Sequence, residues 1–192
     1  TQPNASRANG TAEEQAHKLR NATELVALGL VGNLRGYHLE CGHGPVPGEL
    51  IDYCGMRAGY SDEPDDAIAY VDAHDNETLF DALTLKLAPD VSMADRVRMN
   101  TLCLATVALS QSPMLWHAGT DILRSKSLDR DSFNSGDWFN LLDWSRTENG
   151  FGRGLPPKPA NHQAWRHQRP LLADPSLKPG PDDIAQAHAM AL

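Results

Sequence analysis

The pattern of apolar and polar positions divides the chain into a helical lead, a mixed centre and a long irregular stretch before a last helix. Thr1 to Gly10 is polar and reads as an irregular lead-in. Thr11 followed by Glu13 and Glu14 marks a helix start, with a hydroxyl N-cap and acids at the positive end of the helix dipole. Leu19, Ala22, Leu25, Val26 and Leu28 then recur at the spacing of one buried face, and the helix should stop near Gly29. Gly32 to Pro47 is rich in glycine and reads as loop, with room for a short strand at Gly36 to Leu39. Gly48 to Tyr60 is ambiguous, and Ser61 to Asp66 is an acidic turn.

Ile68 to Ala73 is a short, mostly apolar run with Tyr70 and Val71, the signal for a buried strand of a parallel sheet. It ends abruptly in His74, Asp75, Asn76 and Glu77. Two readings fit that ending. The carboxyl end of a parallel strand is where active-site groups are displayed. Asp and Asn are equally good N-caps, and Glu77 to Leu87 reads as a helix. After a break at Pro89, Ser92 with Asp95 opens a second helix through Val97, Leu102, Leu104, Ala105, Ala108 and Leu109, apolar almost all round and ended by Pro113. Met114 to His117 then reads as the next parallel strand, with Gly119 and Asp121 at its carboxyl end, which makes a βαβ unit. Ser125 to Pro181 is a very long excursion dense in Gly, Pro, Asp, Asn and Trp, and a loop of that length in a compact domain is usually functional. Pro181, Asp182 and Asp183 open a final helix through Ile184 that is still running at Leu192.

Composition narrows the function classes. The net charge of −8 argues against nucleic acid, whose recognition wants a basic face. It suits an enzyme acting on a neutral polymer. No apolar run approaches the roughly 18 residues of a membrane span. The 192 residues fall short of the roughly 250 that a complete (β/α)₈ barrel needs. Cys41 and Cys54 would pair in an oxidising compartment, which sequence does not decide, whereas Cys103 lies in an apolar helical pattern as a small hydrophobe. His38, Cys41, His43 and Cys54 can be drawn as a zinc set, but their spacing fits no standard structural zinc module, so no metal is expected there.

Tyr70-Val71-Asp72-Ala73-His74-Asp75-Asn76-Glu77-Thr78-Leu79-Phe80-Asp81 resembles the fourth conserved region of glycoside hydrolase family 13, the α-amylase family, in the form of its pullulanase and limit-dextrinase branch. The block from His117 to Asn140, with Arg124-Ser125-Lys126-Ser127 and Ser135-Gly136-Asp137-Trp138-Phe139-Asn140, resembles the same branch. Gly154-Leu155-Pro156-Pro157 and Asp174-Pro175-Ser176-Leu177-Lys178-Pro179 extend the likeness, which runs from about Leu30 to the C-terminus.

The resemblance implies an α/β fold, a partial (β/α)₈ TIM barrel holding the last two βα units with a long loop after the final strand. Residues 1–60 would be helix and loops before the penultimate strand, 61–121 the βαβ unit, 122–180 a substrate-side loop and 181–192 the start of the last helix. The activity implied is retaining hydrolysis of α-1,6-glucosidic linkages in pullulan, glycogen or limit dextrins. Retaining glycosidases use two carboxyl groups about 5–5.5 Å apart, one as nucleophile and one as acid/base. The family adds a third carboxylate that stabilises the oxocarbenium-like transition state, and the match gives Asp75 that role. His74, Asn76, Arg130, Asp131 and Trp138 are the implied substrate-binding residues.

The family's nucleophile and acid/base motifs lie upstream of the matched region and are absent here, so the chain by itself is expected to be inactive and to need the rest of the catalytic barrel as partner. Trp138, Phe139 and Trp144 would alternatively form a satellite core under the long loop, the favoured reading for Trp144. The alternative to the binding role of Arg130 is that Asp129 and Asp131 instead hold it in place. Two departures stand out: Asp72 sits where relatives often have a small hydroxyl residue, and Lys158 to Gln163 is largely uncharged where relatives place charged groups. Calcium is allowed by family analogy, with no ligand set to name. The rival class is a non-catalytic carbohydrate-binding or assembly chain that works only with a partner.

Overall fold

The computed structural model describes residues 10–42 and 44–192, so the lead-in expected before Gly10 and the His43 member of the zinc set lie outside the described residues. The chain divides into two compact units, each described by itself: residues 10–70 with 105–115, and residues 71–104 with 116–192.

The first unit begins with α1 (Ala12–Leu30). Its start is as the pattern predicts: the Thr11 hydroxyl accepts from the Glu14 amide and the Glu14 carboxylate accepts from the Thr11 amide, a closed capping box. The buried face is narrower than expected. Leu28 packs with Leu39, Ile51 and Ala58 in a small core, while Leu19 and Val26 stay exposed. The chain leaves the helix through Gly32 at φ +81°, where a Cβ would fall 2.6 Å from the Pro64 Cα, so only glycine fits. Strand β1 (His38–Cys41) starts two residues later than its predicted position and pairs antiparallel with β2 (Gly44–Pro47). A two-residue hairpin, β3 (Asp52–Tyr53) with β4 (Met56–Arg57), occupies the ambiguous stretch. Cys41 and Cys54 are free thiols, and the described residues hold no metal-binding cluster.

Neither predicted parallel strand extends. The two runs meet in one parallel bridge, Ala69 with Met114: the Ala69 amide donates to Pro113 O and the Leu115 amide to Ala69 O, both at 2.9 Å. Ile68 and Tyr70 are 62% and 59% exposed, so the run is not the buried strand its composition predicts: the described residues supply one bridge partner and little cover.

The second unit is mostly helical. Helices α2 (Leu79–Lys86) and α3 (Met93–Ala108, through Leu104) pack against the long C-terminal segment. Its core holds Phe80, Val97, Ile122, Leu123, Leu128, Phe151, Leu177 and Ile184, with the Phe80 and Phe151 rings edge to face at 5.9 Å. Val97 and Leu104 of α3 are buried but Leu102 is exposed, so this helix is one-sided where the sequence reads as apolar all round. The expected long loop carries three short helices, α4 (Asp137–Asn140), α5 (Lys158–Asn161) and α6 (Trp165–Leu172), before α7 (Pro181–Ala191). Side-chain amides tie it down: Asn149 Nδ2 donates to Leu123 O at 2.7 Å and Gln168 Nε2 to Leu128 O at 2.9 Å. Such bonds satisfy buried backbone that no ladder serves.

Candidate functional site

The site is built in the second unit, on the turn between Asp72 and α2. Asp72 is buried, and its carboxylate accepts from the Leu79 amide at 3.0 Å and from the Thr120 hydroxyl at 2.9 Å, with His117 Nδ1 at 3.7 Å. A small hydroxyl residue at that position would lack the reach for all of these, which gives the Asp72 departure a local purpose. The helix cap is Thr78, whose side chain accepts from the Asp81 amide; His74 and Asp75 do not cap it. Between these anchors the chain turns through Asn76 at φ +60°, a left-handed conformation that Asn tolerates better than most residues. His74 and Asp75 are left exposed, with His74 Nε2 3.6 Å from Asp75 Oδ2.

Facing this turn is the segment after Thr120. Asp129 is fully buried and organises it: its carboxylate accepts from the Asp131 amide at 2.9 Å, the Ser135 hydroxyl at 2.6 Å and Asn161 Nδ2 at 2.9 Å. Asn161 Oδ1 in turn lies 3.4 Å from the Arg130 amide. Asp129 therefore fixes the backbone around Arg130, while the Arg130 side chain enters none of the ion pairs among the described residues. The outcome is a depression of about 450 Å³ lined by Asp75, Asn76, Arg130, Asp131 and Ala160. A second, of about 330 Å³, shares Asp131 and Ala160 with it and runs past Phe133, Pro157 and Asn161. Acidic oxygens, an amide and a guanidinium around one hollow suit a neutral polyhydroxylated ligand, which both donates and accepts.

Of the residues singled out from sequence, Asp75, Asn76, Arg130 and Asp131 line the depression; His74, although next to Asp75 in the chain, does not line it, and Trp138 is elsewhere. The Trp138 indole N–H donates to Arg153 O at 2.8 Å, and the Arg153 guanidinium lies 5.7 Å from its ring centre. The satellite core read for Trp144 does not form. That side chain is 69% exposed, and the loop around it is held instead by the Asp143 carboxylate, which accepts from Ser145, Thr147 and the Glu148 amide and is held well below the usual carboxylate range by those donors.

Two buried charged groups were invisible to sequence reasoning. Asp81 is fully buried; its carboxylate accepts from the Ser125 hydroxyl at 2.5 Å and the Lys126 amide at 2.8 Å. Burial pushes its pKa up to about 6, against the pull of those donors. Lys126 is only 2% exposed, and its ammonium donates to Asn76 O at 2.8 Å and approaches His74 O at 3.5 Å. Burial lowers the Lys126 pKa, opposed by the Asp129 and Asp81 carboxylates. Nothing in Ser125-Lys126-Ser127 announces this, since charged residues are rarely buried and such a stretch reads as surface.

Residues 146–192 match the family described as alpha-1,6-glucosidases, pullulanase-type, C-terminal. The chain is similar to the chloroplastic pullulanase 1 of Arabidopsis thaliana, 46% identical over 180 residues, which cover 93% of this chain and 18% of that protein. With the Klebsiella pneumoniae pullulanase it is 36% identical over 162 residues, 82% of this chain and 15% of that one. Among solved structures it resembles the apo pullulanase from Klebsiella pneumoniae, with a TM-score of 0.84 at 36% identity over 90% of this chain and 19% of that one. It also resembles that pullulanase complexed with maltotriose, with a TM-score of 0.81. The chain spans less than one fifth of the length of these relatives. By sequence and by structure alike, the chain resembles part of the pullulanase-type α-1,6-glucosidases.

Proposed function

We propose that this chain forms the transition-state-stabilising side of the substrate cleft in a retaining α-1,6-glucosidase that acts on pullulan, glycogen or limit dextrins. The observation that carries this reading is the shared depression: Asp75 and Asn76 from one segment and Arg130 and Asp131 from another, distant in sequence, line a single polar hollow. Asp75 is the fixed anion beside the developing oxocarbenium ion, a preorganised electrostatic contribution. His74, Asn76, Arg130 and Asp131 bind sugar hydroxyls around it. Trp138, held at its indole by Arg153, offers a ring face further along the substrate. The likeness to a pullulanase complexed with maltotriose supports a glucan as ligand.

In this reading the Ala69–Met114 bridge marks the last two parallel strands of a (β/α)₈ barrel, and the remaining barrel supplies the nucleophile and the acid/base. The apolar side chains of Ile68, Tyr70, Met114 and Leu115, exposed around that bridge, support further strands packing there. The test is reducing-sugar release from pullulan, with the anomeric configuration of the product followed by NMR. The 192-residue chain alone is expected to release nothing. Joined to the remaining barrel it releases sugar with retained configuration. Release by the chain alone would overturn the division of catalytic groups; inverted product would overturn the retaining mechanism.

A further inference from the structure

Lys126 is the only lysine among the described residues that is buried, and it sits beneath the turn that carries Asp75. A buried ammonium is normally matched to a carboxylate. Among the described residues no such ion pair forms. The ammonium is spent on two backbone carbonyls, those of His74 and Asn76, which flank Asp75 on either side. Lys126 is in turn held from below. The Asp81 carboxylate takes its backbone amide and the neighbouring Ser125 hydroxyl, and the Ser127 amide donates to Ser125 Oγ at 2.9 Å. Ser127 and Leu128 both sit at positive φ, +55° and +65°, a conformation costly for leucine that persists only where surrounding contacts impose it. A chain of direct contacts thus runs from the buried Asp81 through Ser125 and Lys126 to the carbonyls either side of Asp75.

We propose that Lys126 is a positioning residue that sets the placement of the Asp75 carboxylate by clamping the His74 and Asn76 carbonyls. The inference rests on the reading of Asp75 as the transition-state stabiliser, and its two parts are tested separately. The first measurement needs no activity: hydrogen–deuterium exchange of the 192-residue chain. Lys126→Met raises exchange in the segment around residues 74–77 about tenfold, while segments in α7 keep their protection; Lys126→Arg, which retains charge and donors, restores protection to within about threefold. Unchanged exchange around 74–77 in a folded Lys126→Met chain overturns the clamp. If Lys126→Met fails to fold, Lys126→Gln and Lys126→Arg carry the same comparison, and equal exchange in both and in the parent overturns it.

The second measurement is pullulan hydrolysis by the assembled enzyme, this sequence together with the barrel segments the proposed function requires. Misplacing a catalytic group by about 1 Å costs on the order of 100-fold in rate. Lys126→Met therefore lowers kcat about 30–100-fold with KM changed less than about threefold, and Lys126→Arg recovers most of kcat. A merely structural lysine would lower the amount of folded enzyme and leave kcat per folded molecule alone, and that result overturns the positioning role. Asp75→Asn is run alongside. Full activity in Asp75→Asn removes the reading of Asp75, and the clamp then stands or falls on exchange alone; loss in Asp75→Asn with full kcat in Lys126→Met removes the positioning role and leaves the reading of Asp75 in place.

Discussion

The rim of the depression and the layer beneath it are made from the same kinds of residue and behave in opposite ways. At the rim, Asp75, Arg130 and Asp131 are exposed and open to a ligand. Beneath it, Asp72, Asp81, Lys126 and Asp129 are buried, and each is bonded to backbone or hydroxyl groups. Charge at the rim is available because charge below has been consumed in holding the backbone still. A loop-built site gains definition from such a layer, since loops have no ladder of their own to fix them.

That contrast is sharpest for Asp129. Asp129→Ala leaves the Asp131 amide, the Ser135 hydroxyl and Asn161 Nδ2 without their acceptor. Stability should fall by about 3 kcal/mol, since orphaned buried donors cost more than the bonds were worth. Urea unfolding reads the effect, and a loss below about 1 kcal/mol would mean that water replaces the carboxylate.

Asp81 gives a pH-dependent version. Its folded pKa of about 6 lies above the ordinary 3.8, so the fold favours the protonated acid. The stability this contributes is present below the unfolded value near 3.8 and is lost as pH rises through about 6. At about 1.4 kcal/mol for each pH unit between those two values, the loss from pH 4 to 7 is roughly 2–3 kcal/mol. Asp81→Asn, which cannot ionise, should flatten that part of the stability–pH curve. An unaltered curve in the variant would place the titration on another group.

The smallest expected effect lies outside the depression, on the exposed loop held by Asp143. Trp144→Ala removes a large side chain that is mostly exposed and holds no core, so stability should move by no more than about 0.5 kcal/mol in thermal melting. A drop of several kcal/mol would restore the satellite core that the sequence suggested.

Helix starts were legible because their signals are local: Thr11 with Glu14, Ser92 with Asp95, and Pro181 with Asp182 and Asp183 each act within one turn. The strands were not, because a strand is a statement about neighbours. Ile68 to Ala73 has the composition of a buried strand but finds one bridged residue, Ala69, in the structure. Helix α3 fails in the same way at Leu102, apolar in pattern and uncovered among the described residues. At the site, the exposed residues were readable through their resemblance to a known family. In the buried layer, Asp72 and Asp129 stood out in the sequence, but two members did not: Asp81 reads as an ordinary first-turn acid of α2, and Lys126 as surface between two serines. Their roles exist only once two segments far apart in the chain come together.

The proposed role of Asp75 at the transition state is tested most sharply by kcat and KM on pullulan for Asp75→Asn against the parent in the assembled enzyme. In that role its replacement lowers kcat by about 10²–10³-fold, the scale for removing one preorganised electrostatic group, with KM and thermal midpoint nearly unchanged. A variant with parental kcat and raised KM would make Asp75 a binding residue, and the transition-state role would have to move to another carboxylate of the cleft.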